Sequence, residues 1–322
     1  NAGSFAATLA VFVFFALGFM ATIPVLNGLC LGVLEDVVPS LQPRYHTIRI
    51  WGTFGFMVPA VVFFFVFAQP SISTAWALLL GGALAGLGVI TAVKLPPHGA
   101  GGAGAQSLPT KEALRVFFRP PVRSFMFAAF LLALATSVFF TFYPLYLGRL
   151  GVATRWIGLI VNIGVVVEVG FLFAGGWLQR NLGFRGIMLM ALAAGAVRMI
   201  LVAAFPTVFV AVVTQILHGP MILAVILVPV LYLNEKAGPH DRNSVQGLYT
   251  MLCKGTSRII GPPLAGYISL AAGRGANGVA GLRFVFWFSA FMLIFAFLTI
   301  LIGFRNNGRR AKVRGAPPEP ET

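Results

Sequence analysis

The chain has 322 residues, of which 58% are hydrophobic and only 10% are charged, and its formal net charge is +15. Ordinary soluble domains are roughly a quarter charged, so this composition excludes a soluble globular protein. The positive charge does not indicate a nucleic-acid-binding protein either. The basic residues stand in short loops between apolar segments, where they set the orientation of a membrane protein.

Nine apolar segments are long enough to cross a membrane, since about 20 helical residues span a hydrocarbon core about 30 Å thick. Proline and glycine interrupt several of them, which a packed membrane bundle tolerates better than a soluble helix does. The pattern predicts an all-α membrane protein. In chain order the predicted spans are 5–33, 49–69, 73–93, 124–147, 155–178, 186–204, 207–233, 245–270 and 283–304.

A polar stretch at residues 94–123 separates three of these spans from the other six. It continues from Pro96-Pro97-His98-Gly99 into a basic sequence, which predicts a linker with a short amphipathic helix. Three spans before the linker, six after it and a first residue that is not Met lead us to expect nine of the twelve spans of a longer protein. The predicted parts are 1–93, the remainder of an N-terminal half; 94–123, the linker; 124–304, a six-helix C-terminal half; and 305–322, a tail.

Lysine and arginine are distributed unevenly over the loops. Sixteen lie on the side that includes the linker and the tail, four lie on the other side, and three lie well inside predicted spans, when a residue at the first position of a span is counted with the adjoining loop. Cytoplasmic loops carry an excess of these residues. We therefore predict a multi-pass protein of the inner or plasma membrane, with its linker and its C-terminus in the cytoplasm.

Ionisable residues inside the spans are the strongest functional signal. Glu168 is the only acidic residue well inside any span, and it stands near the middle of 155–178. A charge at mid-bilayer costs about 3 kcal/mol on insertion scales, so it tends to have a partner and a function. Two interpretations stay open, a substrate- or proton-binding carboxylate and a structural ion pair with Arg198 or Lys254. Burial raises the pKa of a carboxyl group and a nearby cation lowers it, so shifting partners would move a proton.

Other polar residues in the spans allow two interpretations each. Lys254 and Arg258 share one helix face, which fits either an anionic-substrate site or a structural role, with neutralisation by a partner such as Glu168 or snorkelling toward a membrane interface. His218, beside Gly219-Pro220, fits helix packing as well as proton handling. Four further residues are either pore-lining or ordinary interhelical hydrogen-bonding groups: Asn162, Thr141, Tyr143 and Gln215.

Short motifs occur in one consistent order along the chain. They are residues 48–56 (IRIWGTFGF), 179–185 (QRNLGFR), 217–219 (LHG), 232–237 (YLNEKA) and 240–247 (HDRNSVQG). The first resembles the start of the fifth helix of nucleoside symporters. The others resemble the loop between helices eight and nine, the tenth helix and the loop into the eleventh. Together they resemble the major facilitator superfamily, in its nucleoside:proton symporter and lactose- and phenylpropionate-permease-like branches.

The resemblance implies a major facilitator-type helical bundle and proton-coupled symport by alternating access around a site near mid-membrane. Nucleoside symporters carry a glutamine at the position of Val165 and an aspartate at that of Leu223. The solute therefore stays open among a nucleoside, a sugar and an aromatic acid. For Arg49 a salt bridge with Glu35 or Asp36 is the alternative to substrate binding. The predicted substrate- or proton-binding residues are Glu168, Arg198, His218, Arg49, Thr53 and Lys254.

An integral-membrane enzyme, such as a lipid-modifying transferase, is the alternative class. The sequence has no paired carboxylates, no metal-ligand spacing and no nucleophile motif, so we predict no enzyme, no cofactor and no metal. Cys30 and Cys253 lie in apolar runs and predict no disulfide framework. The expected partners are a small-molecule substrate, protons and the lipid bilayer, without a nucleic-acid polymer, and we expect a monomer.

Overall fold

The computed structural model describes residues 45–66, 68–69, 75–93, 110–237, 242–273 and 278–304, and every regular element in these ranges is a helix. The predicted span 5–33 lies outside the described residues. The eight helices are α1 (Tyr45–Val66), α2 (Ala75–Val93), α3 (Thr110–Phe118), α4 (Pro120–Arg149), α5 (Thr154–Ala204), α6 (Val208–Lys236), α7 (the consecutive segments Arg242–Tyr249, Thr250–Gly255 and Thr256–Ala271) and α8 (Ala280–Gly303).

Four of these helices, α4, α5, α6 and α8, are long and apolar enough to cross a membrane by length and composition. Shorter apolar stretches, Ile50–Val66 and Gly81–Thr91, lie in α1 and α2. The described part of the chain is therefore helical and apolar in the way that the sequence predicts. The short helix α3 lies inside the predicted linker.

Helix α5 contains two predicted spans, 155–178 and 186–204, in one run of 51 residues. The break between them is confined to Gly183, whose backbone angles are φ 64° and ψ 177°. This positive φ is open to glycine at little cost and strained for other residues. A bend at one glycine thus replaces the separate loop that the basic sequence 179–185 predicts, and it divides α5 into an N-terminal and a C-terminal half.

Helix α6 is irregular at its centre. A tight 3-10 turn at Thr214–Leu217 precedes the segment His218–Ile222, and a π-helical turn at Leu223–Leu227 follows it. Pro220 explains part of this, because it has no N–H to donate to the carbonyl group of Ile216. Local π-helical turns are frequent at functional sites. A second one, Thr250–Gly255, lies in α7.

The helices pack so that α5 is central. Helix α8 packs against α5 and α4, α7 packs against α4, and α6 packs along α5. Helix α1, which precedes the linker, also packs against α5. This arrangement brings residues from α1, both halves of α5 and α6 to one interior region.

Candidate functional site

Four of the six predicted site residues lie together in the protein interior. Thr53 is on α1, Glu168 and Arg198 are on the two halves of α5, and His218 is in the irregular centre of α6. Their exposed fractions lie between 1% and 6%. Helix packing has therefore removed one carboxylate, one guanidinium and one imidazole from water at the same place.

The carboxylate of Glu168 is held by side chains from two other helices. Thr53 Oγ1 donates a hydrogen bond of 2.9 Å to Glu168 Oε1. The other oxygen, Oε2, lies 3.7 Å from His218 Nε2. Of the two ion pairs left open for Glu168, the one with Arg198 is therefore not direct, because His218 stands between them.

Arg198 is held on three sides. Its NH1 group lies 3.2 Å from His218 Nδ1, and its NH2 group donates to Gln215 Oε1. Its Cζ atom lies 4.1 Å from the ring centroid of Phe139, and the ring of Tyr143 stacks on Phe139 at 4.4 Å between centroids. A guanidinium over an aromatic face is stabilised by the ring quadrupole, more so when it is desolvated.

The contact with Arg198 determines which nitrogen of His218 carries a proton. A guanidinium only donates hydrogen bonds, so His218 Nδ1 must accept. A neutral imidazole then carries its proton on Nε2, the nitrogen that faces Glu168. The 3.7 Å separation there is longer than an ordinary N–H···O hydrogen bond, so a small relative shift of α5 and α6 makes or breaks this interaction.

Three polar atoms around this cluster have no hydrogen-bond partner among the described residues. They are Asn162 Oδ1, Arg198 Nε and Gln215 Nε2. Asn162 also connects α5 to α1, because its Nδ2 donates to the carbonyl group of Met57 at 3.1 Å. Buried polar groups are rarely left without a partner, so these three atoms keep an unused hydrogen-bonding capacity in this structure.

The sequence interpretation missed part of this cluster. Gln215 and Tyr143 appeared only as possible pore-lining residues, and Phe139 was not singled out because an aromatic residue in a membrane helix is ordinary. The Tyr143 hydroxyl donates to the carbonyl group of Ala211, next to the start of the irregular region of α6. Thr141, by contrast, donates to Ser137 one turn earlier in its own helix and is exposed.

Two predicted site residues are not placed in the cluster. Arg49 lies on α1, one turn before Thr53, but its side chain lies outside the described residues. Lys254 lies in the π-helical turn of α7, which packs against α4. Its Nζ atom is 5.7 Å from the ring centroid of Tyr249.

Gly164 allows α5 and α6 to approach at the cluster. A Cβ atom there would lie 2.8 Å from Gln215 Oε1 and 3.0 Å from His218 Cβ. We expect Gly164→Ala to displace both side chains and to lower the initial rate of solute uptake at least about tenfold, since an error of about 1 Å at a site costs up to a hundredfold. Uptake assays, with surface expression quantified, measure this.

Gly170→Ala is the matched control for this prediction. Gly170 is six residues further along the same helix, and a Cβ atom there would meet nothing within 4 Å. We expect this variant to transport normally, because alanine is the better helix former. Equal uptake by the two variants would contradict the role of close packing at Gly164.

The described structure thus combines a buried charged cluster with four apolar helices of membrane length. Residues 1–274 match the sequence model of the MFS_1 like family. The chain belongs to the MFS_1 like family, and hence to the major facilitator superfamily. This confirms the predicted fold class and a transporter rather than an enzyme.

Individual relatives agree with this assignment. The chain is 25% identical over 311 residues to YegT of Escherichia coli (strain K12), a candidate nucleoside transporter, covering 91% of this chain and 71% of YegT. The crystal structure of a substituted form of the nucleoside transporter NupG superposes with a TM-score of 0.69 at 20% identity, covering 88% of this chain and 73% of that one. A second NupG structure gives 0.64 at 20% identity, covering 85% and 70%.

Proposed function

We propose that this protein is a proton-coupled symporter that carries a nucleoside by alternating access. The observation that supports this best is the placement of Glu168, a buried carboxylate on α5 whose hydrogen-bond donor, Thr53, comes from α1. We assign α1 to the N-terminal half of the transporter and α4 to α8 to the C-terminal half. The bond between Thr53 and Glu168 then crosses the interface at which the halves rock.

Protonation of Glu168 would change this bond and its neighbour together. An ionised carboxylate accepts hydrogen bonds at both oxygens, whereas a protonated one donates from one of them. With the proton on Oε2, that oxygen becomes a donor and a weaker, uncharged acceptor for the Nε2–H group of His218, which lies 3.7 Å away. Proton binding would thus weaken the contact of His218 with Glu168, between α5 and α6, and alter the bond of Thr53 with Glu168, between α1 and α5. These changes would connect proton binding to the motion of the two halves.

The proposed solute site lies beside this carboxylate. Phe139 and Phe140 flank the cluster, with the ring of Phe140 edge-on to His218 at 5.7 Å between centroids. Arg198 Nε and Gln215 Nε2 are donors without a partner in the described part of the chain. Aromatic rings beside fixed donors suit a solute with a flat base and several polar atoms. The similarity to YegT and NupG, both named as nucleoside transporters, favours a nucleoside over a sugar or an aromatic acid as the solute.

Uptake of radiolabelled uridine into vesicles that contain the full-length transporter tests this function. With an inwardly directed proton gradient we expect accumulation above the external concentration, and collapse to equilibrium when a protonophore is added. Excess unlabelled adenosine should compete, whereas lactose and phenylpropionate should not. Accumulation that persists without the proton gradient would contradict proton coupling, and competition by lactose or phenylpropionate would contradict the nucleoside assignment.

The remaining features of the proposal concern its setting in the cell. We place the transporter in the inner or plasma membrane as a monomer, with its C-terminus in the cytoplasm. The sixteen-to-four excess of lysine and arginine on one side supports this orientation.

A further inference from the structure

Helix α3 is held at the end of a membrane-crossing helix. It covers Thr110–Phe118, and α4 begins at Pro120, so Arg119 alone connects the two. Arg119 has an extended backbone, with φ −61° and ψ 134°, which turns the chain between the helices. A connection of one residue keeps α3 at the end of α4, a helix of membrane length, so we expect α3 at the membrane interface.

One face of α3 is packed within the protein. Ala113, Val116 and Phe117 are buried, and they lie on one side of the helix because they are three and four residues apart. The helix packs against the first segment of α7, Arg242–Tyr249, and against α4. The opposite face is therefore directed away from the bundle.

That outward face combines apolar and cationic side chains. Lys111, Leu114, Arg115 and Phe118 follow each other at the spacing of one helical stripe. Leu114 is 40% exposed and Phe118 is 67% exposed, and both cations are exposed as well. In water, the exposed Leu and Phe side chains would be unfavourably hydrated. Inside the protein, the Lys and Arg side chains would lose their hydration. A membrane interface accommodates both kinds of residue.

We propose that this stripe, Lys111, Leu114, Arg115 and Phe118, is a binding surface for anionic phospholipids. Leu114 and Phe118 enter the boundary of the acyl chains, and Lys111 and Arg115 contact the phosphate groups, joined by the exposed Arg119 and Arg123. Glu112 is the only acidic residue between positions 94 and 123, against five basic ones. Each basic residue near an anionic surface raises binding about fivefold, so charge selects anionic over neutral lipid.

The basic part of the chain's own tail, residues 305–314, is the less suitable occupant of this surface, and only Glu319 and Glu321 further on carry negative side chains. Five basic residues lie between Arg305 and Arg314, so this part of the tail would repel Lys111 and Arg115. An anionic bilayer neutralises both groups of cations.

The experiment places a fluorescent label on the stripe of the full-length transporter. Phe118→Cys is labelled with a polarity-sensitive fluorophore in a background that carries Cys30→Ala and Cys253→Ala and has no other cysteine. The protein is reconstituted in phosphatidylcholine vesicles with or without about a third phosphatidylglycerol, each containing lipids brominated near the top of the acyl chain. We expect blue-shifted emission and strong quenching with phosphatidylglycerol, and at least about twofold weaker quenching without it.

Charge reversals test the recognition of the headgroup. Arg115→Glu should lower quenching in phosphatidylglycerol vesicles to the level in phosphatidylcholine. Arg180→Glu, an equal charge change at another exposed residue, should leave it unchanged. If Arg115→Glu does not fold, the proposal is still tested by comparing quenching in the two lipid mixtures with Arg115 intact. Absence of quenching in both lipids would overturn the proposal, because water or protein would then cover the stripe. Equal quenching in both lipids would also overturn it, because charge would then play no part in binding.

Discussion

Glu168→Gln is expected to abolish proton-driven accumulation of solute while leaving exchange of solute across the membrane. Glutamine keeps the size of the side chain and an oxygen that accepts from Thr53, so the contact between α1 and α5 survives. It has no titratable group, so the proton has no site. The ratio of internal to external solute under an imposed proton gradient should fall to about one, because removal of the coupling step removes the driving force for uphill transport.

Two controls separate coupling from structure. Glu235→Gln changes an exposed carboxylate that pairs with Lys236 at 2.7 Å, and we expect it to accumulate solute normally. Thr53→Val removes the hydrogen-bond donor to Glu168 without removing the carboxylate, so it should slow transport yet retain accumulation. Normal accumulation and pH dependence in a well-folded Glu168→Gln variant would remove this residue from the mechanism.

Arg198→Met is expected to cause the largest loss of stability of any single change in the cluster. Arg198 is almost completely buried, and its removal leaves His218 Nδ1 and Gln215 Oε1 without their donor. Leaving a buried hydrogen-bond acceptor without its donor costs about 1–3 kcal/mol in the free energy of unfolding, and this change leaves two. A fall in the thermal unfolding temperature of the purified protein in detergent measures this, together with the loss of uptake.

Two further variants show whether the loss of stability depends on the guanidinium group of Arg198. Arg198→Lys keeps the charge but replaces a planar group that reaches two acceptors with a compact ammonium group, so we expect an intermediate loss of stability and little transport. Arg180→Met, at an exposed arginine, should change the free energy of unfolding by less than about 0.5 kcal/mol. A wild-type unfolding temperature for Arg198→Met would show that the network around it is not a stabilising one.

A double variant tests whether Glu168 and Arg198 belong to one network. His218 lies between them, with Nε2 towards the carboxylate and Nδ1 towards the guanidinium. Removal of Arg198 leaves Glu168 as a buried charge with a neutral environment, so adding Glu168→Gln should restore part of the lost stability. Residues joined in one hydrogen-bonded network show coupling energies of about 0.5–3 kcal/mol, and purely additive losses would place the two residues in separate networks.

The sequence by itself determined the class of protein and most of the chemically active residues. Apolar runs of membrane length are a local property, so helices α4, α6 and α8 and the two halves of α5 were predictable without tertiary information. Glu168, Arg198 and His218 were recognisable because ionisable residues inside apolar segments are few and costly. Thr53 and Arg49 were predicted as site residues from the resemblance to symporters. The motif around Arg49 did not indicate the conformation of its side chain.

Only the tertiary structure decided how these residues are connected. Positions 53, 168, 198 and 218 are far apart in the chain, and the distances between their side chains depend on how α1, α5 and α6 pack. The place of His218 between Glu168 and Arg198, the role of Gln215 and the need for glycine at 164 follow from that packing. Residue spacing specifies which positions share a face of one helix, whereas contacts between helices depend on side-chain packing along their whole length.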